Sequence, residues 1–188
     1  MATYYEGSPI EVVEQTMSEQ EYAREYRAAG EILSPFRRRG VKAGLCLSAA
    51  LIIASVIPFY RTKFSTVFVP VCGVVLCIAF AALFYFYQPA EIERWAAELF
   101  RSNALLSLPQ KISIYRDSVV VKSERERILE YWTDFAGCLE KKNAFVLAGG
   151  RERPLLIIKK QGLSPEQIRR LSEHFSETFA LRYRKSGR

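Results

Sequence analysis

The spacing of apolar and polar positions changes rhythm along this chain, and each change marks an element. Near the start, "IEVVEQT" from Ile10 has the texture of a short strand. In "MSEQEYAREYRAAGEIL" the residues Tyr22, Tyr26, Ala29 and Leu33 recur at three and four positions, which predicts one apolar stripe along a helix. Ser18 and Glu21 are spaced as a capping box, each able to satisfy a free backbone N–H at the helix start, and Met17 with Tyr22 forms the hydrophobic staple around it. Gly30 or Ser34-Pro35 ends or bends the helix. The stripe requires a partner, either a headgroup surface or the C-terminal domain. Whether the first strand joins a later sheet is left open.

Periodicity then disappears. "AGLCLSAALIIASVIPFY", Ala43 to Tyr60, is eighteen residues without a charge, and "FSTVFVPVCGVVLCIAFAALFYFYQPA", Phe64 to Ala90, is twenty-seven. A spanning helix needs about 20 apolar residues. Helices apolar all round do not fit a soluble core this small, which has too little other material to cover them. "FYFY", Phe84 to Tyr87, has the composition of an aromatic belt at a membrane–water interface. The first run begins too deep for a cleaved signal and is followed by a second. The expected transmembrane helices are 41–60 and 64–88, after a cytoplasmic N-terminal arm 1–40. Gly73, Ser48 and Ser55 are small enough to support packing between them.

After the second run Pro89 is expected to break the chain, and "AEIERWAAELFRSN" to continue as an amphipathic linker helix over 89–107 with Ile92, Trp95 and Leu99 on one face. From Leu108 the texture is that of strands. "KISIY" and "VVVKS" flank a tight turn at Arg116 to Ser118, "RILEYWT" follows, and "AFVLAGGRERPLLIIKK" carries a second hairpin loop at Gly149-Gly150. "LSPEQIRRLSEHFSETFALRYR" then predicts a helix with Ser164 as cap, Pro165 in its first position, Gln167 completing the box and Leu163 with Ile168 as staple. Ile168, Leu171, Phe175 and Phe179 place one face of it over the sheet. Antiparallel strands closed by a C-terminal helix are the outline of a pleckstrin-homology (PH)-like domain over 108–188. The fold class expected is therefore an α+β membrane protein, a two-helix transmembrane hairpin carrying a cytoplasmic PH-like domain.

Charge sharpens this picture. The 188 residues carry 27 basic and 20 acidic side chains, net +7. Residues 41–89 hold three basic and no acidic groups, while residues 90–188 hold nineteen and thirteen. Arg37, Arg38 and Arg39 stand before the first apolar run and set the topology by the positive-inside rule, with both termini in the cytoplasm of a multi-pass cell-membrane protein. A terminal cluster of Arg182, Arg184 and Lys185, and the four lysines Lys141, Lys142, Lys159 and Lys160, offer contacts to anionic lipid or to a protein partner, each worth about 1 kcal/mol near a membrane. A solvated face explains the same residues nearly as well. Membrane tethering accounts for the positive charge without nucleic acid.

Candidate chemistry is sparse. Cys46, Cys72, Cys77 and Cys138 form no CxxC or Cys/His metal spacing and read as small apolar fillers. In "ILEYWTDFAGCLEKKNAFVLAGG", the residues Ile128, Tyr131, Trp132, Phe135, Leu139, Phe145 and Leu147 read as core and corner positions. Glu130, Asp134 and Glu140 read as caps or solvated charges, because nothing in their spacing makes two carboxyls converge on a substrate. His174, the one histidine, reads as a surface or half-buried helix residue, and "AGGRERP" lacks a phosphate-cradle spacing. No catalytic, cofactor-binding or metal site is expected.

The "MSEQEYAREYR" helix, the two apolar runs and above all "ILEYWTDFAGCLEKKNAFVL" leading to "LLIIKKQGLSPEQIRRL" resemble the bacterial YcxB-like membrane proteins over nearly the whole chain. That resemblance implies a cytoplasmic, PH-like C-terminal domain and supplies no activity. The function expected is a non-enzymatic, membrane-anchored protein presenting its domain to a protein partner or the inner leaflet. The alternative is an oligomeric two-span pore or an accessory subunit of a transporter. Against a pore, neither apolar run has an ionisable residue in its middle.

Overall fold

The computed structural model describes residues 8–33, 39–56 and 65–186. In chain order the elements are β1 (Glu11–Gln15), α1 (Glu19–Leu33), α2 (Arg39–Val56), α3 (Ser65–Ala82), a π-turn (Leu83–Tyr87) and α4 (Gln88–Ser102). Then follow β2 (Gln110–Ile114), β3 (Ser118–Lys122), β4 (Arg127–Tyr131), β5 (Gly137–Glu140), β6 (Ala144–Ala148), β7 (Leu155–Lys159), α5 (Pro165–Phe179) and β8 (Tyr183–Lys185). The chain is α+β.

Two four-stranded sheets form, in the orders β1-β2-β3-β4 and β7-β6-β5-β8. The first is an antiparallel meander whose opening strand is β1, paired in the register Glu11↔Ile114 to Gln15↔Gln110. The N-terminal strand thus joins the sheet across all the helices between. The second is antiparallel except for β8, which lies parallel to β5. That pairing corrects the expectation of a helix running to Arg184. α5 stops at Phe179, Ala180 takes a positive φ of 44°, and the 3-10 turn Ala180–Arg182 leads into the strand Tyr183–Lys185.

The main core fills the space between the sheets under α5. Ile112, Val121, Phe145, Ile158, Leu171 and Phe175 are fully or almost fully buried there, with Trp132 set edge-on to Phe175 and Phe179. Tyr131, expected in this core, is half exposed, because successive strand residues face opposite sides. The second sheet is buried on its outer face too. Leu139, Val146 and Ile157 pack there against Tyr22, Ala29, Ala96 and Phe100 from α1 and α4. This accounts for the unbroken apolar run of β6, whose two faces serve two cores. The stripe of α1 finds the domain rather than a headgroup layer, except at Leu33, which is exposed.

α1 and α4 lie antiparallel, with Tyr22 against Phe100, Tyr26 edge-on to Trp95, and ion pairs from Arg101 to Glu19 and from Arg27 to Glu93. The seam of α4 centres on buried Ala96 and Phe100; of the expected face of Ile92, Trp95 and Leu99, Leu99 packs against this core while Trp95 is half exposed.

Pro89 does not break the chain. α3, the π-turn and α4 are one continuous helix. In the π-turn the Gln88 N–H donates to the Leu83 carbonyl, five residues back. The next bond in that pattern would need an N–H from Pro89, which has none. The stranded Phe84 carbonyl instead accepts from the Lys42 ammonium at 3.1 Å. Lys42 is a buried residue of α2, which packs on α3. Gly73 is buried, whereas Ser48 is exposed and donates to the Gly44 carbonyl of its own helix. Ser55 lies outside the described side chains.

Among the described residues one helix, Val71–Ser102 with 32 residues, is long and apolar enough to cross a membrane. The first expected span contributes the shorter apolar stretch Val41–Leu51, and its side chains 52–60 lie outside the described residues.

Candidate functional site

Three of the seven residues singled out for lipid or partner contact, Lys142, Lys159 and Lys160, line a cleft of about 460 Å³ where α1 crosses the end of the second sheet. Its walls include Glu21, Arg24 and Glu25 of α1 and Lys142, Lys159 and Lys160 from the strand ends.

The start of α1 builds one wall. Ser18 and Glu21 close the predicted capping box, the Ser18 N–H donating to the Glu21 carboxylate at 3.0 Å and the Glu21 N–H to the Ser18 hydroxyl at 3.4 Å. Just before it, Gln15 acts as a substitute strand along β7. Its side-chain amide donates to the Ile157 carbonyl at 2.7 Å, and its carbonyl oxygen accepts from the Lys159 N–H at 2.8 Å. A short polar side chain thereby seals the seam between β1 and β7 and satisfies an edge that would otherwise be open.

The lysines are committed to counter-ions. Lys159 Nζ donates to Glu21 and to the Thr16 carbonyl, both at 2.6 Å, and this bond is the chief reason the Glu21 carboxyl is held down at about 2. Lys141 donates to Glu25 at 2.8 Å. Lys160 donates to Glu140 at 2.7 Å and lies over the Phe145 ring. These three lysines therefore clamp α1 and the sheet end. They do not form the free basic face expected of them, and only Lys142 of the four is exposed. Their partners Glu21 and Glu25 lie more than a hundred residues earlier in the chain. Only the box spacing of Glu21 was visible beforehand.

Glu140 is the best-connected carboxylate. It is buried, and accepts from Lys160, from the Ser172 hydroxyl at 2.8 Å and from the Tyr183 hydroxyl, with Lys185 at 3.4 Å. Burial pushes its carboxyl up, but the bonds from Lys160, Tyr183 and Ser172 outweigh it and hold the group at about 2. Burial, and then the bond to this carboxylate, push the Tyr183 hydroxyl upward. Burial likewise raises the neighbouring Cys138 thiol. A proton-transfer group works best near the ambient pH, and Glu140 is held far below it. Its arrangement ties β5, β7, α5 and β8 together.

Glu130 is also buried, and is a loop cap. One carboxylate oxygen accepts from the backbone N–H of Glu152 at 2.8 Å and of Arg153 at 3.0 Å. Arg153 is itself buried, reaching Gln110 at 3.1 Å and Glu126. The reading of Glu130 and Glu140 as caps or solvated charges is thus half corrected: one is a cap, neither is solvated. Asp134 caps the turn after β4 through the Tyr131 N–H. His174 is half-buried, edge-on to Trp132, and burial lowers its pKa.

The remaining predicted contacts separate. Arg182 donates to the Phe135 carbonyl at 3.0 Å and lies over the Phe179 ring. Arg184 and Lys185 continue along β8 beside β5. Arg37 and Arg38 fall outside the described residues, and Arg39 opens α2 with its side chain outside them. Among the described residues no group of three or more His, Cys, Asp or Glu side chains could hold a metal ion. No protein-family profile, curated protein or solved structure matches the chain, so the likeness to the YcxB-like proteins rests on its residue pattern alone.

Proposed function

We propose that this chain is a membrane-anchored, non-enzymatic binding protein. In this reading α2 and α3 form a transmembrane hairpin, and the two sheets with α5 form a PH-like domain on the cytoplasmic face, as in the YcxB-like proteins it resembles. The observation that carries the reading is the pairing of β1 with β2. One strand precedes the apolar helices and the other follows them, so both ends of that insertion lie on one side of any bilayer. A crossing by α3 then requires a return crossing, and α2 is the segment available for it. The outward faces of both helices support the same reading. Leu45, Leu47, Leu51, Val74, Ile78 and Phe86 are exposed, and apolar surface on that scale marks contact with lipid or another protein.

The anchored domain is joined to the hairpin rigidly. α4 continues α3 and is packed on α1, which is packed on the second sheet. A domain held in this way presents its remaining free surface, including the cleft at Lys142 and the outer edges of β4 and β8, to a partner in a set orientation. An exposed strand edge can take up an added strand.

Extraction of native membranes with alkaline carbonate tests the anchor. The protein is expected to stay in the pellet, and its release would overturn the reading. Crosslinking in the same membranes followed by mass spectrometry tests the binding role. Links from Lys142 to a second protein are expected, while links solely to other copies of this chain would favour an oligomeric pore.

A further inference from the structure

A membrane anchor decides which end of the domain faces the bilayer, and the register between α1 and α4 identifies that end. Glu19 lies beside Arg101, Tyr22 beside Phe100, Tyr26 beside Trp95 and Arg27 beside Glu93. Continued in the same antiparallel sense, this register carries Ile32 and Leu33 to the level of Gln88 and Pro89, where the apolar stretch ends. Gly137, the first residue of β5, sits against that last turn of α1. A Cβ placed there would be 3.0 Å from Ile32 Cγ2 and 2.8 Å from the Arg182 carbonyl oxygen. The turn Ala180–Arg182 between α5 and β8 therefore lies at the level where the chain enters its anchor.

At the tip of this turn Leu181 is 97% exposed, the most exposed large apolar side chain among the described residues. It does not sit on a loose end. Ala180 before it has φ 44° and ψ −113°, the one positive φ outside glycine among the described residues, a conformation that persists only when its surroundings enforce it. Arg182 after it is bonded to the Phe135 carbonyl and lies over Phe179. Tyr183–Lys185 is then fixed in the sheet by β5. A braced and strained turn thus holds a leucine out into the surroundings.

We infer that Leu181 is a membrane-contact residue, inserted at the boundary between headgroups and acyl chains beside the anchor. The inference rests on the proposed anchoring by α2 and α3. Lipid is the occupant because the apolar band of α3 ends at the same level, so one bilayer surface meets both. A shallow apolar insertion of this kind adds a second contact with the bilayer beside the anchor.

The test uses the full-length chain in nanodiscs of mixed zwitterionic and anionic phospholipid, with its four cysteines replaced by alanine. An environment-sensitive fluorophore is attached at Leu181→Cys, at Ile78→Cys in α3, or at Lys142→Cys in the distal cleft. A blue-shifted Leu181 emission, quenched by doxyl-labelled lipid, is expected, with Ile78 quenched and Lys142 unquenched. A Leu181 label as polar as Lys142 while Ile78 is quenched would overturn this inference and leave the anchor standing. An unquenched Ile78 label would overturn the anchor itself. A Leu181 label that is blue-shifted but not quenched is covered by protein, and would also overturn lipid as the occupant.

Discussion

The ammonium of Lys42 donates to the carbonyl oxygen of Phe84 at 3.1 Å, and so supplies the hydrogen bond that Pro89 cannot. The proline, the π-turn and the lysine make one device, which lets a helix continue from an apolar segment into the α4 seam without leaving the half-buried Phe84 acceptor bare. Replacing Lys42 by Met keeps the stem and removes the donor. An unsatisfied buried carbonyl costs about 1–3 kcal/mol, and because Phe84 is half-buried thermal unfolding in detergent should register a loss towards the lower end of that range. Pro89→Ala restores a backbone N–H within reach of Phe84, so Lys42→Met is expected to cost clearly less in that background. Equal losses in the two backgrounds would refute the coupling.

Glu140 gives the domain an acid-sensitive joint. Its carboxyl lies at about 2 when folded against an ordinary 4.5. A lowered folded value contributes stability that is fully present above pH 4.5 and is lost as the pH falls towards 2. The contribution is on the order of 3 kcal/mol. Unfolding measured from pH 7 down to 2 should therefore fall more steeply below pH 4.5 in the natural protein than in Glu140→Gln. The variant should also start less stable at pH 7, because it leaves Lys160 buried without its counter-charge. Parallel profiles would count against the assignment.

The α1–α4 seam owes its strength to packing. Ala96 is completely buried between the helices and the sheet. Ala96→Leu overfills this space, with an expected cost of about 1–3 kcal/mol and faster proteolysis within α1. The Glu19–Arg101 pair lies at the rim, and such exposed pairs contribute little. Glu19→Gln should leave the denaturation midpoint near that of the natural protein, and a large shift would show that the pair matters more than its exposure implies.

Two glycines in turns should respond differently to alanine. At Gly150 a Cβ would stand 2.3 Å from the Arg153 carbonyl and 2.6 Å from Glu130 Oε1, so the loop capped by Glu130 must open. Gly162 has φ +87° but free space around it. Gly162→Ala should cost only the backbone strain, about 1 kcal/mol. Gly150→Ala should cost more and also weaken the Glu130 bonds to Glu152 and Arg153. Urea denaturation of the two variants ranks them, and the reverse order would contradict the geometry.

What the sequence determined by itself was local. Capping boxes at Ser18 and Ser164, the hairpin loops, the apolar runs and the stripe of α5 all depend on residues within a few positions of one another, and pattern reading finds them. Tertiary structure decided the rest. β1 and β2 pair across nearly a hundred residues, a contact that no local pattern in either strand encodes. The tail becomes β8 because β5 offers an open edge where Phe179 ends α5. Lys141, Lys159 and Lys160 looked like a basic face because a composition shows charges without their distant partners. Glu25, Glu21 and Glu140 meet them only once α1 and β5 are laid beside the sheet end. Periodicity records which face of an element is apolar, but which element covers that face is a property of the whole packed chain.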